Sequence, residues 1–374
     1  MTAPATRLLL AGGGHAHIEV LRRFALRPPD GVELALVSTS DAMLYSGMTP
    51  AVIAGHFTLA EAQIALRPLA ASARARFVTD TVVALDLAAR VATCASGRRE
   101  TFDVLSLDVG SVPDRSLPGA SEFAVGVRPL DALVNAWEVL RRDALADRIG
   151  RIAIVGGGAA GAELCLAMQY ALQAACGPRA PRMVLVSDHP RLLPGHARGA
   201  QRRIESVVSA RAEMHLGCAA SAIERSGVRL ADGRSVEADR VIVATGAQAP
   251  PWLVAAGLAC DAHGFVRIDA SLRSSSHPFV FAAGDCATSE DAPRPKSGVY
   301  AVRAGPPLAE NLRRSALDRP LVMYRPQRRA LALIGTGDAC AIASWPPLAA
   351  AGRWVFRWKS GIDRRFVARY RTDH

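Results

Sequence analysis

The chain has 374 residues, half of them apolar, and a formal charge of +11, which fits two or three packed domains. Its seven scattered cysteines include no Cys-x-x-Cys pair, which argues against a disulfide scaffold and a zinc site and for a reducing compartment. No run approaches the roughly 18 apolar residues of a membrane-spanning helix, the N-terminus carries no signal-peptide pattern, and the charge is almost all arginine, since Lys296 and Lys359 are the only lysines.

From the N-terminus, Arg7–Ala11 is a short apolar run, as expected of a buried parallel strand. It enters the turn Gly12-x-Gly14-x-x-His17. Ile18, Val20, Leu21 and Phe24 give a helical apolar period, and Val32–Val37 is a second buried strand. Gly12 and Gly14 suit a tight turn that brings backbone N–H groups to a phosphate at a helix N-terminus. His17 stands where a third glycine would let helix and strand pack; it either touches a cofactor or is a half-buried structural residue. Ser38 ends the second strand, where dinucleotide folds often place an acidic ribose ligand. A turn at Gly97-Arg98 marks a meander before the strand Asp103–Val109, which stops at Gly110.

The pattern then repeats. Arg151–Val155 enters Gly156-x-Gly158-x-x-Gly161, the helix carries Ala162, Leu164, Leu166 and Met168, and Met183–Val186 is the next strand. With strand and helix in place, this turn reads as a nucleotide fingerprint. Ser187 holds the acidic position, Asp188 follows, and Arg191 is near, which leaves NAD against NADP open. Asp232-Gly233 repeats the meander turn, and Asp239–Gly246 parallels Asp103–Ser111. The buried strand Phe279–Ala283 ends in Gly284-Asp285. A carboxylate there accepts hydrogen bonds from ribityl hydroxyls or caps a helix. A helical stretch from Tyr300 to Leu312 follows, and the last fifty residues are rich in Trp and Arg.

In this order, Gly12–His17, Gly156–Glu163, Ala244–Gly246 and Ala282–Asp285 resemble the pyridine nucleotide–disulfide oxidoreductase superfamily of flavoproteins over almost the whole chain. The resemblance implies an α/β fold of two Rossmann-like dinucleotide-binding domains, the NAD(P) domain inserted in the FAD domain, with a small C-terminal region. The segments are 1–118 (FAD, first part), 119–246 (NAD(P)), 247–322 (FAD, second part) and 323–374 (C-terminal). Within the superfamily, Leu185–Pro194 is similar to the type II NADH dehydrogenase and sulfide:quinone reductase branch. Gly12–His17, Tyr45–Met48, Gly352–Trp354 and Ile362–Phe366 look like a subgroup fused to, or encoded beside, selenophosphate synthetase.

The resemblance implies an FAD-dependent oxidoreductase that passes a hydride from NAD(P)H to flavin and electrons to a small acceptor such as a quinone. A sulfide- or selenium-linked flavoprotein and a non-catalytic flavin-binding partner of a selenophosphate synthetase are the alternatives. It places Gly12, Gly14, His15, His17, Ser38, Gly110, Gly284 and Asp285 at FAD, and Gly156, Gly158, Gly161, Asp188 and Gly246 at the nicotinamide nucleotide. Glu163 approaches the nicotinamide amide or is an ordinary helix-start Glu favoured by the dipole. Lys296 and Val299 fall near the flavin ring, with Pro50 on its other side; Glu163 and Lys296 are the catalytic candidates, and no metal is expected. The first FAD segment holds Cys94 alone, so dithiol chemistry at the usual place is excluded. Cys286 and Cys340 are left as candidates for sulfide chemistry, and Cys165 belongs to the core.

The tail interleaves Trp345, Trp354, Phe356, Trp358, Phe366 and Tyr370 with arginines. That composition suits either a membrane interface or aromatics packed inward with arginines facing water. No fold signature supports nucleic-acid binding. The expected location is cytoplasmic with peripheral contact on the inner face of a membrane, and a homodimer is compatible with it.

Overall fold

Two five-stranded sheets of the same design organise the chain. The computed structural model describes residues 5–114, 116–289, 291, 294–327 and 329–371. In chain order, the elements that position the site are β1 (Thr6–Ala11), α1 (His15–Leu26), β2 (Val32–Ser38), α2 (Thr49–Ile53), β3 (Arg76–Thr79), β4 (Val104–Leu107), β5 (Ala124–Gly126) and β6 (Arg151–Val155). Then come α3 (Ala159–Cys176), β7 (Arg182–Ser187), α4 (Arg198–Ser209), β8 (Ala212–Leu216), β9 (Arg240–Val243), β10 (Val280–Ala282) and α5 (Gly298–Ala316). The C-terminal region adds β11 (Ala332–Gly335), β12 (Ala341–Trp345), β13 (Leu348–Gly352) and α6 (Arg353–Ala368).

The first sheet runs β10-β4-β1-β2-β3 and the second β5-β9-β6-β7-β8, with every pairing parallel. Parallel strands covered on both faces read as continuous apolar runs, and Leu8–Ala11 and Ile152–Val155 are buried end to end. β10 returns to the first sheet after the second is complete, so the second sheet interrupts the first in sequence. Each sheet carries a three-stranded antiparallel meander, Val82–Thr101 in the first half and Ala220–Glu237 in the second.

The helix expected at Tyr300–Leu312 is longer, Gly298–Ala316, and runs through Pro306 and Pro307. Gly305 lets it lie close to α1, since a Cβ there would come within 2.6 Å of Glu19. The C-terminal region touches both cores: Ile334 and Ile342 pack with the α3 core, while Phe366, Val367 and Tyr370 join the core around β1.

Candidate functional site

Both glycine turns lie at the carboxyl ends of central strands, but they are built differently. At the second, Gly156 has φ +134 and abuts the Ala244 backbone. A Cβ on Gly161 would collide with the Gly156 carbonyl, so this glycine lets α3 pack onto the strand. Gly158 faces open space, and among the described residues no side chain caps α3. An 18-residue helix whose first N–H groups meet no side-chain cap is a ready anion site, so the residues fit a nucleotide phosphate. Ser187 is buried at the end of β7, its Oγ accepting from the His189 N–H at 3.2 Å, and Asp188 is exposed just beyond it.

At the first turn, His17 fills the third-glycine place and is fully buried. Its Nδ1 lies 2.6 Å from the Gly12 carbonyl and its Nε2 2.8 Å from Ser106 Oγ. Burial pushes the ring down to about 4, so it is neutral at physiological pH. Asp108, at the end of β4, accepts from the Ala16 N–H at 2.7 Å and the His17 N–H at 3.1 Å through one oxygen. The Asp108 carboxyl fills the space beside Gly14 and Gly284, where a Cβ on either would collide with it. Burial raises this carboxyl to about 7. Ser38 is buried and close to the turn, 2.7 Å from where a Gly13 Cβ would stand. Gly110 has φ +71 and faces open space.

Asp285 forms an ion pair with Arg128, which also donates to Ser111 Oγ at 2.9 Å. Gly284 and Asp285 line an open cleft with Lys296, Ser297, Tyr300 and Tyr324. Lys296 Nζ donates to the Ala287 carbonyl at 2.5 Å and lies 3.7 Å from the centre of the Phe265 ring. Burial lowers its pKa. Val299 lies in the first turn of α5, half-buried.

A second, narrow pocket opens where α2, α3, β11 and α6 meet; Pro50, His56, Glu163, Gly335, Phe356 and Lys359 line it. Glu163 accepts from the Gly335 N–H at 2.6 Å, and burial raises its carboxyl to about 7 against the opposing pull of Lys359. Lys359 donates to the Gly47 carbonyl at 2.5 Å and to Asp363 at 2.8 Å. His56 Nε2 lies 2.7 Å from the Gly337 carbonyl, and its ring stacks on Tyr170. Alongside, Tyr45 stacks on Phe366 at 4.3 Å and His15 lies 5.7 Å from Tyr45 and 6.3 Å from Phe366. Three sequence-distant motifs, Gly12–His17, Tyr45–Met48 and Ile362–Phe366, therefore meet in one cluster.

The model of the pyridine nucleotide-disulphide oxidoreductase family matches residues 6–305. The chain belongs to this family. The family consists of FAD-dependent oxidoreductases that use NAD(P)H, and the chain is a flavoprotein oxidoreductase of that family. It is 27% identical over 300 residues to an NADH dehydrogenase-like protein of Mycobacterium tuberculosis, covering 77% of this chain and 75% of that protein. Its fold is similar to the sulfide:quinone oxidoreductase of Aquifex aeolicus, with TM-score 0.83 and 19% identity over 98% of this chain and 92% of that one. It is also similar to a ferredoxin reductase of Rhodopseudomonas palustris (TM-score 0.73, 23% identity, 90% and 81% covered). A third match is the water-forming NADH oxidase of Lactobacillus brevis (TM-score 0.72, 20% identity, 91% and 75% covered). At these identities the likeness shows the fold.

Set on this family fold, the sequence candidates divide among four places. Gly12, Gly14, His17, Gly284 and Asp285 converge around Asp108, while Gly156, Gly158 and Gly161 form the second turn. Gly246, with φ +54, lies against Asp114 in the crossing between the sheets. Pro50 shares the second cavity with Glu163, and Lys296 lines the first cleft with Asp285. Sequence reasoning missed Asp108, Arg128 and His56, and it counted Lys359 only among the basic residues of the tail. Asp108 could have been found by aligning the two copies, where it stands opposite Ala244. Lys359 could have been found by rarity, as one of two lysines in an arginine-rich chain.

Proposed function

We propose that this protein is an NAD(P)H:acceptor oxidoreductase whose acceptor is a small quinone-like molecule. The single observation that carries the reading is the open, uncapped α3 end at Gly158, with Glu163 half-buried on the same helix where α2, β11 and α6 meet it. Gly156, Gly158 and the first turn of α3 would hold the nicotinamide nucleotide. Gly12, Gly14, Asp285 and the Arg128 beside it would hold FAD. A flavin held there would supply the hydride acceptance and onward electron transfer that the reaction needs. Glu163 and Lys359 hold an exchangeable proton and a positive charge at one cavity, the pair of groups that reduction of a quinone calls for.

α6 supports a peripheral membrane contact. Its buried side carries Val355, Lys359, Asp363, Phe366 and Val367, while Trp354 and Trp358, stacked at 6.4 Å, and Ile362 are exposed. Arg353, Arg357, Arg364 and Arg365 are also exposed. Aromatic rings framed by arginines suit an anionic interface. Among the described residues no helix is long and apolar enough to cross a membrane. The meeting of His15, Tyr45 and Phe366 supports kinship with the selenophosphate-synthetase-associated subgroup. Of the two cysteine candidates, Cys286 gains no such support: burial pushes it up to about 12, and its Sγ faces the Leu107 and Ala283 carbonyls.

Anaerobic titration of the purified protein with NADH and NADPH tests the reading. Loss of flavin absorbance with either is expected, and no loss with both overturns it.

A further inference from the structure

The two glycine turns differ by a paired exchange. Ala11 pairs with Leu107 and Val155 with Val243, so Asp108 and Ala244 hold equivalent places, each donating its N–H back to the central strand. The second turn combines Gly161 with Ala244; the first combines His17 with Asp108. The imidazole takes the Gly12 carbonyl that a glycine Cα would otherwise pack against. The carboxyl takes the Ala16 and His17 N–H groups that a bare helix end would offer to a ligand. The protein has thus placed its own anion at the turn where, on the functional reading above, the flavin diphosphate binds.

We propose that Asp108 is a flavin-site residue that works as a carboxylic acid, and that flavin binding takes up one proton on its carboxyl. Two anions at one buried helix end oppose each other's charge. The cofactor's diphosphate stays ionised at neutral pH, so Asp108 is the partner that yields. Neutral, it keeps its acceptor oxygen for Ala16 and His17 and gains an O–H donor in place of a repulsive charge.

The groups around Asp108 leave it as the one that titrates near neutrality. From α1, the half-buried ring of His15 and the buried ring of His17 are both held down to about 4 and stay neutral. From the loop after β10, Asp285 adds negative charge but is paired with Arg128, and burial pushes Cys286 up to about 12. Lys296, from the segment before α5, is a cation in the adjoining cleft. Asp108 itself stands at about 7 without flavin, so added diphosphate charge moves it further up.

The test is FAD release from the holoprotein by dilution across pH 6 to 9, read by flavin fluorescence. In the wild type, Kd should rise by up to about tenfold per pH unit above neutrality, the slope of one linked proton. In Asp108→Asn, which is neutral at every pH, the slope should vanish. An infrared spectrum of the wild-type holoprotein at pH 8 should also show the carbonyl band of a protonated carboxylic acid, lost in Asp108→Asn. That band needs no activity, and its wild-type spectrum stands even if the variant fails to fold. A flat wild-type slope, an equal slope in Asp108→Asn or a missing band overturns the inference while leaving the flavin site intact. A protein that binds no flavin at any pH overturns both.

Discussion

Glu163 and Lys359 line one cavity, the first from α3 on the nucleotide turn and the second from the C-terminal helix α6. With its carboxyl at about 7, Glu163 is poised to give up a proton near physiological pH. Turnover with a soluble quinone should fall as pH rises through about 7, because the protonated form is the donor. Glu163→Gln should lower that rate on the order of a hundredfold and remove the pH step. Turnover with ferricyanide, which takes electrons without protons, should change little. Equal losses with both acceptors would place Glu163 in hydride transfer or nucleotide binding instead.

Lys359 is only 8% exposed and satisfies both Asp363 and the Gly47 carbonyl. Removing one member of a buried pair leaves the other charge unpaired and costs about 3–5 kcal/mol. Lys359→Met should therefore lower thermal stability sharply, and the double variant Lys359→Met/Asp363→Leu should recover much of the loss. Calorimetry of the three proteins checks this. Additive losses would show that the Gly47 contact, not the charge pair, carries the effect.

Stability should form a dome in pH. The His17 ring takes up a proton near 6.5 when unfolded but only at about 4 when folded. Its stabilising contribution is thus present above 6.5 and is lost as pH falls toward 4, on the order of 3 kcal/mol. Glu163 works in the opposite sense: its folded pKa is raised, so its contribution is complete below the unfolded value near 4.5 and is lost as pH rises through about 7. Melting curves should show His17→Gln reducing the acid-side slope, which His15 shares, and Glu163→Gln reducing the neutral-side slope, which Asp108 shares. Unchanged acid limbs in His17→Gln would assign acid unfolding to other groups.

The strand-turn-helix units were legible because buried parallel strands and glycine turns write continuous local patterns, and the duplicated Asp103–Gly110 and Asp239–Gly246 segments do indeed take equivalent places in their sheets. What joined the units was not legible. His56, Gly337 and Tyr170 meet from three separate segments, and no local period records such a meeting. The β11–β13 hairpins are alanine-rich and short, with none of the aromatic or β-branched run that marks a strand. The tail looked uniformly aromatic and basic, yet helical spacing sends Phe366 and Tyr370 inward and Trp354 and Trp358 outward.

That outward face yields a membrane prediction. Trp354→Ser/Trp358→Ser should weaken sedimentation with anionic vesicles at least severalfold while leaving soluble-acceptor turnover unchanged, and salt should weaken the wild type's binding. Binding that ignores both the tryptophans and salt would remove α6 as the contact.

Glycines of one turn should also separate fold from function. Gly158 has φ −73 and faces open space, so Gly158→Ala strains nothing within the protein. Its melting temperature should match the wild type within the effect of about 1 kcal/mol. On the proposed function a methyl group there would stand where the nucleotide's phosphates approach the backbone, and the KM for NADH or NADPH should rise at least about tenfold. Gly161→Ala should do the reverse, since its methyl group collides with the Gly156 carbonyl and must shift α3; about 1–3 kcal/mol of stability should go with it. Flavin content should stay whole in Gly158→Ala, because the proposed function places FAD at the other turn. If Gly158→Ala lost flavin and kept its nucleotide KM, the two turns would have exchanged cofactors.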